Sequence, residues 1–221
     1  MEMNNRLKKY IVLDTETCGS IGSPLPYDCG WAVVDRYGNI YSTRNYVVKE
    51  VFFGEKELMK SCYYANKLPQ YYEDIRNGER IVAKFETIMN RLCEDIPTYN
   101  CAVITAHNAH FDKRALENAC CHILGSIFDL PSITEMYDTQ IMARETICKL
   151  KKYEKFCIEN NLLTPTGRIP QNAEALYRFI TNDPTFKEAH TGLADVLIEK
   201  EILRECLAKH KAMPKKVIAV Y

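Results

Sequence analysis

The chain has 221 residues, with 29 Lys and Arg balanced by 29 Asp and Glu. This length suits one domain with a sizeable core, and we assign residues 1–221 to it. Because the net charge is zero, the protein does not have a uniformly basic surface for binding nucleic acid. A nucleic-acid substrate would therefore be bound by a local group of residues. No apolar run is long enough to cross a membrane, and the N-terminus lacks a signal-peptide core. We therefore expect a cytoplasmic protein with no membrane partner.

The N-terminal part of the chain reads as three strands. Short apolar, β-branched runs predict strands at Tyr10–Leu13, Gly30–Asp35 and Ile40–Val48. The Gly- and Pro-rich stretch 20–30 after the first strand is expected to form a turn. The loop 36–39 is short and contains a glycine, so strands two and three should form a hairpin. Together the three strands predict an antiparallel meander.

The rest of the chain alternates strands with helices. Further strands are predicted at Cys101–Ala106 and Ile133–Tyr137, and Asp138 is well placed as the N-cap of the helix that follows. Apolar periodicity predicts helices at Arg80–Asp95, Phe111–Leu124, Gln140–Lys149, Lys151–Leu163, Asn172–Ile180 and Glu188–Leu207. This order predicts an α/β fold with a mixed five-stranded sheet, in which parallel strands extend the meander and helices cover both faces.

Two residue groups are read mainly as structural. The ten cysteines form no CxxC pair in a chain without an export signal, so buried free thiols are favoured over disulfides or a zinc site. The segment 51–77 is rich in aromatic residues and should contain short helices. Its tyrosines are interpreted as core or interface packing, with stacking on nucleic-acid bases as the alternative, and they are Tyr63, Tyr64, Tyr71 and Tyr72.

Two acids stand at the end of the first strand. Asp14 and Glu16 are two residues apart, so on a strand they point to the same face. Two carboxylates about 4 Å apart repel by about 4 kcal/mol at an effective dielectric of 20. A divalent cation such as Mg²⁺ or Mn²⁺, or a proton on one acid, would relieve this repulsion. The alternative is a strand end with two solvated acids.

Three further residues are predicted to join this pair. Parallel pairing of the first and fourth strands would bring Asp112 to the same edge of the sheet, where ligands bind in α/β proteins. Asp195 lies in the apolar stretch 192–198, and burying it there would be costly without a partner. His190 is five residues earlier, so we expect it at or just before the start of the final helix, leaning over the site.

The chain resembles a known family through three motifs. DTET at 14–17, HNAHFD at 107–112 and HTGLAD at 190–195 match, in order, the three motifs of the DEDDh group. These are the DnaQ-like 3′–5′ exonucleases, which have the ribonuclease H-like fold, and the resemblance extends from about Tyr10 to Leu207. It implies that His190 is the general base. It also implies that four acids bind two Mg²⁺ or Mn²⁺ ions, namely Asp14, Glu16, Asp112 and Asp195.

The resemblance implies a metal-dependent 3′–5′ exonuclease that acts on single-stranded ends, with DNA favoured, in replication or repair. Two alternatives stay open, an exoribonuclease of the same fold and a non-catalytic nucleic-acid-binding module. The stretch 162–180 before the third motif resembles that of small stand-alone phage or bacterial members. It therefore argues against a tight polymerase partnership, and the sequence does not indicate an oligomeric state.

Overall fold

The sheet of this protein has six strands in the order β4-β3-β2-β1-β5-β6. It is seen in a computed structural model that describes residues 7–60, 62–127, 129–130, 134–209 and 218–220. The strands are β1 (Lys9–Ser20), β2 (Ser23–Asp35), β3 (Ile40–Val48), β4 (Ile81–Ala83), β5 (Cys101–Ala106) and β6 (Glu135–Asp138). The predicted start of the last strand, Ile133, lies outside the described residues.

The pairing of the strands is the mixed arrangement that the sequence predicts. β1, β2 and β3 form the antiparallel meander, β5 pairs parallel to β1, and β6 pairs parallel to β5. The predicted turn 20–30 is wrong except at residues 21 and 22, since β1 continues to Ser20 and β2 already begins at Ser23. A register shift after Glu16 accommodates Pro26 opposite Thr17, because a bulge tolerates a residue without an N–H.

The sixth strand is the one that the sequence analysis did not predict. Ile81–Ala83 was assigned to the start of a helix, but it pairs parallel to Tyr46–Val48 at the edge of the sheet. The helix begins only at Phe85. The adjacent apolar residues Ile81 and Val82 are consistent with either period, so their pattern alone did not separate a short strand from a helical turn.

Nine α-helices lie among the described residues. Asp138 caps α6 as predicted, because its side chain accepts hydrogen bonds from the backbone N–H groups of Gln140 and Ile141. None of the helices in the described part of the chain is long and apolar enough to span a membrane. The helices are α1 (Lys49–Phe52), α2 (Lys56–Lys60), α3 (Leu68–Asn77), α4 (Phe85–Thr98), α5 (Ala109–Ala119), α6 (Thr139–Glu145), α7 (Lys151–Glu159), α8 (Ala173–Thr181) and α9 (Gly192–Lys209).

Some helix ends differ from the predicted ones. A π-helical turn at Cys120–Leu124 follows α5, and a 3-10 turn at Ile147–Lys149 follows α6. The final helix begins at Gly192 rather than Glu188, because the left-handed backbone of His190, with φ of 54°, cannot belong to a right-handed helix. His190 therefore lies just before the helix, where the spacing to Asp195 predicted it.

The core occupies both faces of the sheet, with β1 near its centre. Ile11 and Leu13 face the side covered by α3, α4 and α5, whereas Tyr10 and Val12 face the side covered by α6 to α9. This alternation is the period-two pattern of a strand buried on both faces. All ten cysteines are free thiols and seven of them are buried, as predicted.

The N-terminus of α9 lies directly against β2. A Cβ atom on Gly30 would be 2.4 Å from the backbone nitrogen of Leu193 and 2.5 Å from the carbonyl carbon of Gly192. Any side chain at position 30 would therefore push the helix away from the sheet. This backbone contact sets how closely the final helix approaches the strands that carry the predicted acids.

We predict that Gly30→Ala lowers the free energy of unfolding by about 1–3 kcal/mol or more, because an added methyl group overpacks this contact. The measurement is urea unfolding followed by circular dichroism. The matched control is Gly22→Ala, where a Cβ atom would meet only Ser20 Oγ, at 4.0 Å. Equal unfolding midpoints for the two variants would contradict the close contact between β2 and α9.

Candidate active site

Three of the four predicted acids converge beside the middle of β1, not at its end as predicted, because the strand continues past Glu16 to Ser20. Asp14 and Glu16 continue the row of Tyr10 and Val12, so they point to the face that α9 covers. Asp195, in the first turn of α9, meets them there. A carboxylate oxygen from each of the three acids lies within 4.8 Å of the others. The predicted convergence of strand one and the final helix is therefore present in the fold.

The fourth acid, Asp112, reaches the same edge from the opposite face of the sheet. It lies in the first turn of α5, just beyond β5, which runs parallel to β1. Thr15 is held between the two acids of β1, and its N–H and hydroxyl both donate to Asp112 Oδ1, at 3.0 and 2.8 Å. These two bonds fix the Asp112 carboxylate against the strand that carries Asp14 and Glu16.

Asp195 is held by local bonds that leave one oxygen free. The backbone N–H of Thr191 donates to its Oδ2 at 3.1 Å, and its own N–H donates to the Thr191 carbonyl at 3.0 Å. Its Oδ1 is buried and has no hydrogen-bond partner among the described residues. A buried carboxylate oxygen without a partner is costly unless a cation balances it. This donor set fits a hard divalent ion.

The pKa values of all four acids are raised, which indicates the same need for a balancing positive charge. Burial raises the pKa of Glu16 to about 9 and that of Asp195 to about 8, and repulsion from the neighbouring acids adds to both shifts. Burial, followed by repulsion from Glu199, raises the pKa of Asp14 well above its usual value. Burial also raises the pKa of Asp112 to about 7, although the bonds from Thr15 oppose the shift. The site therefore favours added positive charge.

His190 lies at the mouth of this group of acids. Its imidazole stacks on the ring of Tyr64, with ring centroids 4.2 Å apart and an interplanar angle of 12°. Its Nδ1 is 3.9 Å from Glu188 Oε2. Partial burial lowers the pKa of His190 below its ordinary value, so the neutral imidazole is favoured near pH 7. All five predicted site residues thus lie at one end of the sheet.

Two further acids belong to the surroundings of the site, and the sequence analysis missed both. Glu199 is 3% exposed, and its Oε2 has no hydrogen-bond partner in the described part of the chain. Its position four residues after Asp195 on the same helix face could have revealed it. Glu188 faces His190, and burial raises its pKa to about 7. Nothing in its sequence context distinguishes it from a surface acid.

Asp138 has the structural position that the sequence predicts. In addition to capping α6, its Oδ1 accepts a hydrogen bond from the backbone N–H of Asn108 at 3.2 Å. Asn108 is a left-handed residue, with φ of 67°, in the turn between β5 and α5. Asp138 therefore fixes the turn that delivers Asp112 to the site.

A cavity of about 260 Å³ opens beside the acids. Its lining includes Glu16, Phe111, Tyr63 and Tyr64. Tyr63 is 88% exposed and meets Tyr64 edge to face, with ring centroids 4.8 Å apart. The tyrosines of the segment 51–77 therefore do not all have the same environment. Tyr71 is fully buried in the core, as the packing interpretation predicted. Tyr63 and Tyr64 instead lie where the alternative interpretation, stacking on bases, would need them.

Solved structures identify the class of fold. The chain matches E. coli exonuclease I in complex with a dA16 oligonucleotide, with a TM-score of 0.57, 12% identity and coverage of 92% of this chain. It also matches the zinc-bound complex of that enzyme with single-stranded DNA (TM-score 0.56, 12% identity, 91% coverage) and its product-bound form (TM-score 0.54, 12% identity, 92% coverage). The chain therefore shares the fold of exonuclease I, and the predicted α/β fold with a mixed sheet flanked by helices is confirmed.

These similarities define the fold and no more than the fold. The chain spans 41% of the length of exonuclease I in the first two structures and 44% in the third. No protein-family model matches the sequence, and no curated protein matches it. At 12% identity the shared architecture does not carry over an activity, so the argument for function rests on the residues of the site.

We predict that, in EDTA, the wild-type protein loses stability as the pH rises from about 4 to about 9. The folded state holds protons on Glu16 and Asp195 up to about pH 9 and about pH 8, whereas the unfolded chain releases them near pH 4. The folded state thus binds more protons in this window, and the free energy of unfolding falls as they dissociate. Millimolar Mn²⁺ should raise the melting temperature by several degrees, and more at pH 8 than at pH 5.

The measurement is thermal unfolding across this pH range with EDTA or Mn²⁺. The control is Glu16→Gln, which removes one titrating carboxylate and retains the side-chain shape, so its profile should be flatter. Parallel profiles for the two proteins, or no Mn²⁺ effect on the wild type, would contradict the electrostatic description of the site.

Proposed function

We propose that this chain is a metal-dependent 3′–5′ exonuclease, formed by one domain, that hydrolyses phosphodiester bonds at single-stranded ends with DNA favoured over RNA. The observation that carries the proposal is the approach of Asp14, Glu16 and Asp195 to within 4.8 Å of one another, with a buried Asp195 oxygen that has no hydrogen-bond partner among the residues that the structure describes. The shared fold with exonuclease I bound to a dA16 oligonucleotide supports the substrate class.

Asp14, Glu16 and Asp195, together with Asp112, would hold two Mg²⁺ or Mn²⁺ ions. Bound ions of this kind lower the pKa of water and neutralise the charge that develops on a leaving oxygen. The acids hold the required negative charge at one point of a chain with no net charge. With such ions bound, the site of the four acids would present a local positive charge to the phosphodiester, so a chain with no net charge could retain it without a basic surface.

His190 would act as the general base. Its Nδ1 is on the side of Glu188, at 3.9 Å from Oε2, which leaves Nε2 to accept the proton of the attacking water. Burial lowers the pKa of the imidazole, so the neutral form that can accept a proton predominates near pH 7. The stack on Tyr64 restrains the ring at the mouth of the site.

The cavity beside Glu16 would receive the terminal nucleotide. Tyr63 and Tyr64 line this cavity, and bases stack on aromatic rings with little regard to sequence. A base can reach these rings only when it is unstacked from a partner strand. The arrangement therefore favours single-stranded ends over paired ones.

The proposal predicts stepwise loss of nucleotides from the 3′ end. Single-stranded DNA labelled at the 5′ end should give a ladder of shortening products with Mg²⁺ or Mn²⁺ and none with EDTA, and DNA should be cut faster than RNA of the same sequence. Asp14→Ala should retain the fold but lose all turnover. Internal cleavage, a ladder from the 5′ end, or binding without cleavage would contradict the proposal, and the last result would favour a non-catalytic binding module.

The base assignment predicts a separate outcome for His190. His190→Ala should lower kcat by roughly 10²–10⁴, the usual contribution of a general base, while the metal-induced rise in melting temperature persists. The wild-type rate should rise with pH to a plateau above about pH 6.5 as the imidazole loses its proton. His190→Gln serves as the uncharged, polar control. A His190→Ala enzyme within a few fold of wild type, or one whose loss follows weaker metal binding, would remove His190 from this role.

A further inference from the structure

Asp28 is a completely buried carboxylate outside the three motifs. It lies on β2 directly opposite Glu16 in the ladder of β1 and β2. Its Oδ2 accepts three hydrogen bonds, from the Tyr71 hydroxyl at 2.6 Å, from Arg80 Nη1 at 2.6 Å and from the backbone N–H of Gly192 at 3.0 Å. One oxygen thus joins α3, the segment before β4 and the first residue of α9.

Arg80 provides the positive charge that this buried carboxylate needs. It is itself 5% exposed, and its Nε donates to Asp74 Oδ2 at 2.9 Å while Nη1 also donates to Asn45 Oδ1 at 3.1 Å. Its guanidinium lies over the ring of Tyr71, 4.1 Å from the centroid. Hydrogen bonds and a cation–π contact therefore fix the cation from several sides.

The bond from Gly192 to Asp28 leaves little room for a side chain between helix and sheet. A Cβ atom on Gly192 would lie 3.0 Å from the backbone nitrogen of Gly30 and 3.2 Å from Asp28 Oδ1. Gly192 stands between His190 and Asp195 in the chain. A displacement of Gly192 would therefore move the turn that carries the imidazole and the first helical turn that carries the acid.

We propose that Asp28, Tyr71 and Arg80 form a positioning network that fixes the start of α9 against β2, so that Asp195 faces Asp14 and Glu16. The inference rests on the proposed function and adds residues that act through Gly192. A buried ion pair contributes little to stability in comparison with apolar packing, but removing one partner leaves a charge unpaired. The geometry indicates a positioning role, because the N–H of Gly192, the first residue of α9, donates to the Asp28 side chain. That side chain is itself fixed by Tyr71 and Arg80.

The test compares Asp28→Asn with Asp95→Asn. Asp95 is 2% exposed and has the same kind of partners, since it accepts hydrogen bonds from Arg44 Nη2 and Trp31 Nε1, each at 3.0 Å. Both variants should lower the melting temperature. Asp28→Asn should in addition lower kcat about tenfold or more with KM changed less than twofold, because small displacements of reacting groups are costly. It should also weaken Mn²⁺ binding severalfold, whereas Asp95→Asn should leave kcat and Mn²⁺ affinity within twofold of wild type.

A second pair keeps the test decisive if Asp28→Asn does not fold. Tyr71→Phe removes one hydroxyl from the network, and Tyr153→Phe removes one from a fully buried tyrosine on the other face, whose hydroxyl donates to the Pro170 carbonyl at 2.9 Å. Tyr71→Phe should again lower kcat and Mn²⁺ affinity more than its control does. Equal effects on both readouts within the pair would overturn the positioning role and leave a purely structural one.

The two readouts also separate this inference from the function on which it rests. A wild-type protein that binds Mn²⁺ but cleaves no nucleic acid overturns the proposed function, while the Mn²⁺ affinities of the four variants still test the network. A wild-type protein that binds no Mn²⁺ overturns both proposals.

Discussion

Mutual repulsion acts between the carboxylates that this fold brings together beside its central strand. Asp14, Glu16 and Asp195 offer oxygens within 4.8 Å of one another, and burial raises the pKa of each. Such a group is unfavourable by itself, because each acid loses hydration and gains like-charged neighbours. A fold retains it only where rigid elements hold the acids together and a cation or a bound proton can relieve the repulsion. Strained electrostatics of this kind is characteristic of functional sites.

The sheet and two helices supply that rigidity by different means. Because side chains alternate between the two faces along β1, Asp14 and Glu16 point to the same face. Thr15, which lies between them, binds Asp112 on the other face. α9 places Asp195 on the face of the sheet to which Asp14 and Glu16 point. The position of α9 depends on the backbone contact at Gly30 and on the bond from Gly192 to Asp28. The acids are thus placed by contacts within the motifs and by two residues outside them, Gly30 and Asp28. Substitutions of these contact residues should therefore lower activity even though the four acids of the site are retained.

Much of this arrangement could be predicted from the sequence, because it follows from local periodicity. The spacing of Asp14 and Glu16 gave their common face, and the apolar run before Asp112 gave the parallel strand that delivers it. The network of Asp28 could not be predicted, since its partners Arg80 and Gly192 are 52 and 164 residues away. Long-range side-chain bonds leave no periodic signal. The short strand β4 was missed for a related reason, because three residues are too few to define a period.

The most direct test of this account is where divalent cations bind. Crystals grown with Mn²⁺ would locate the ions through anomalous scattering at the manganese edge. Two ions should be in direct contact with carboxylate oxygens beside β1, with Asp14, Glu16 and Asp195 among their ligands. The alternative location is a separate group of two acids and one histidine, in which Glu174, Glu188 and His190 also bring ligand atoms within 4.8 Å of one another. Manganese only at that group, or at neither, would contradict the account.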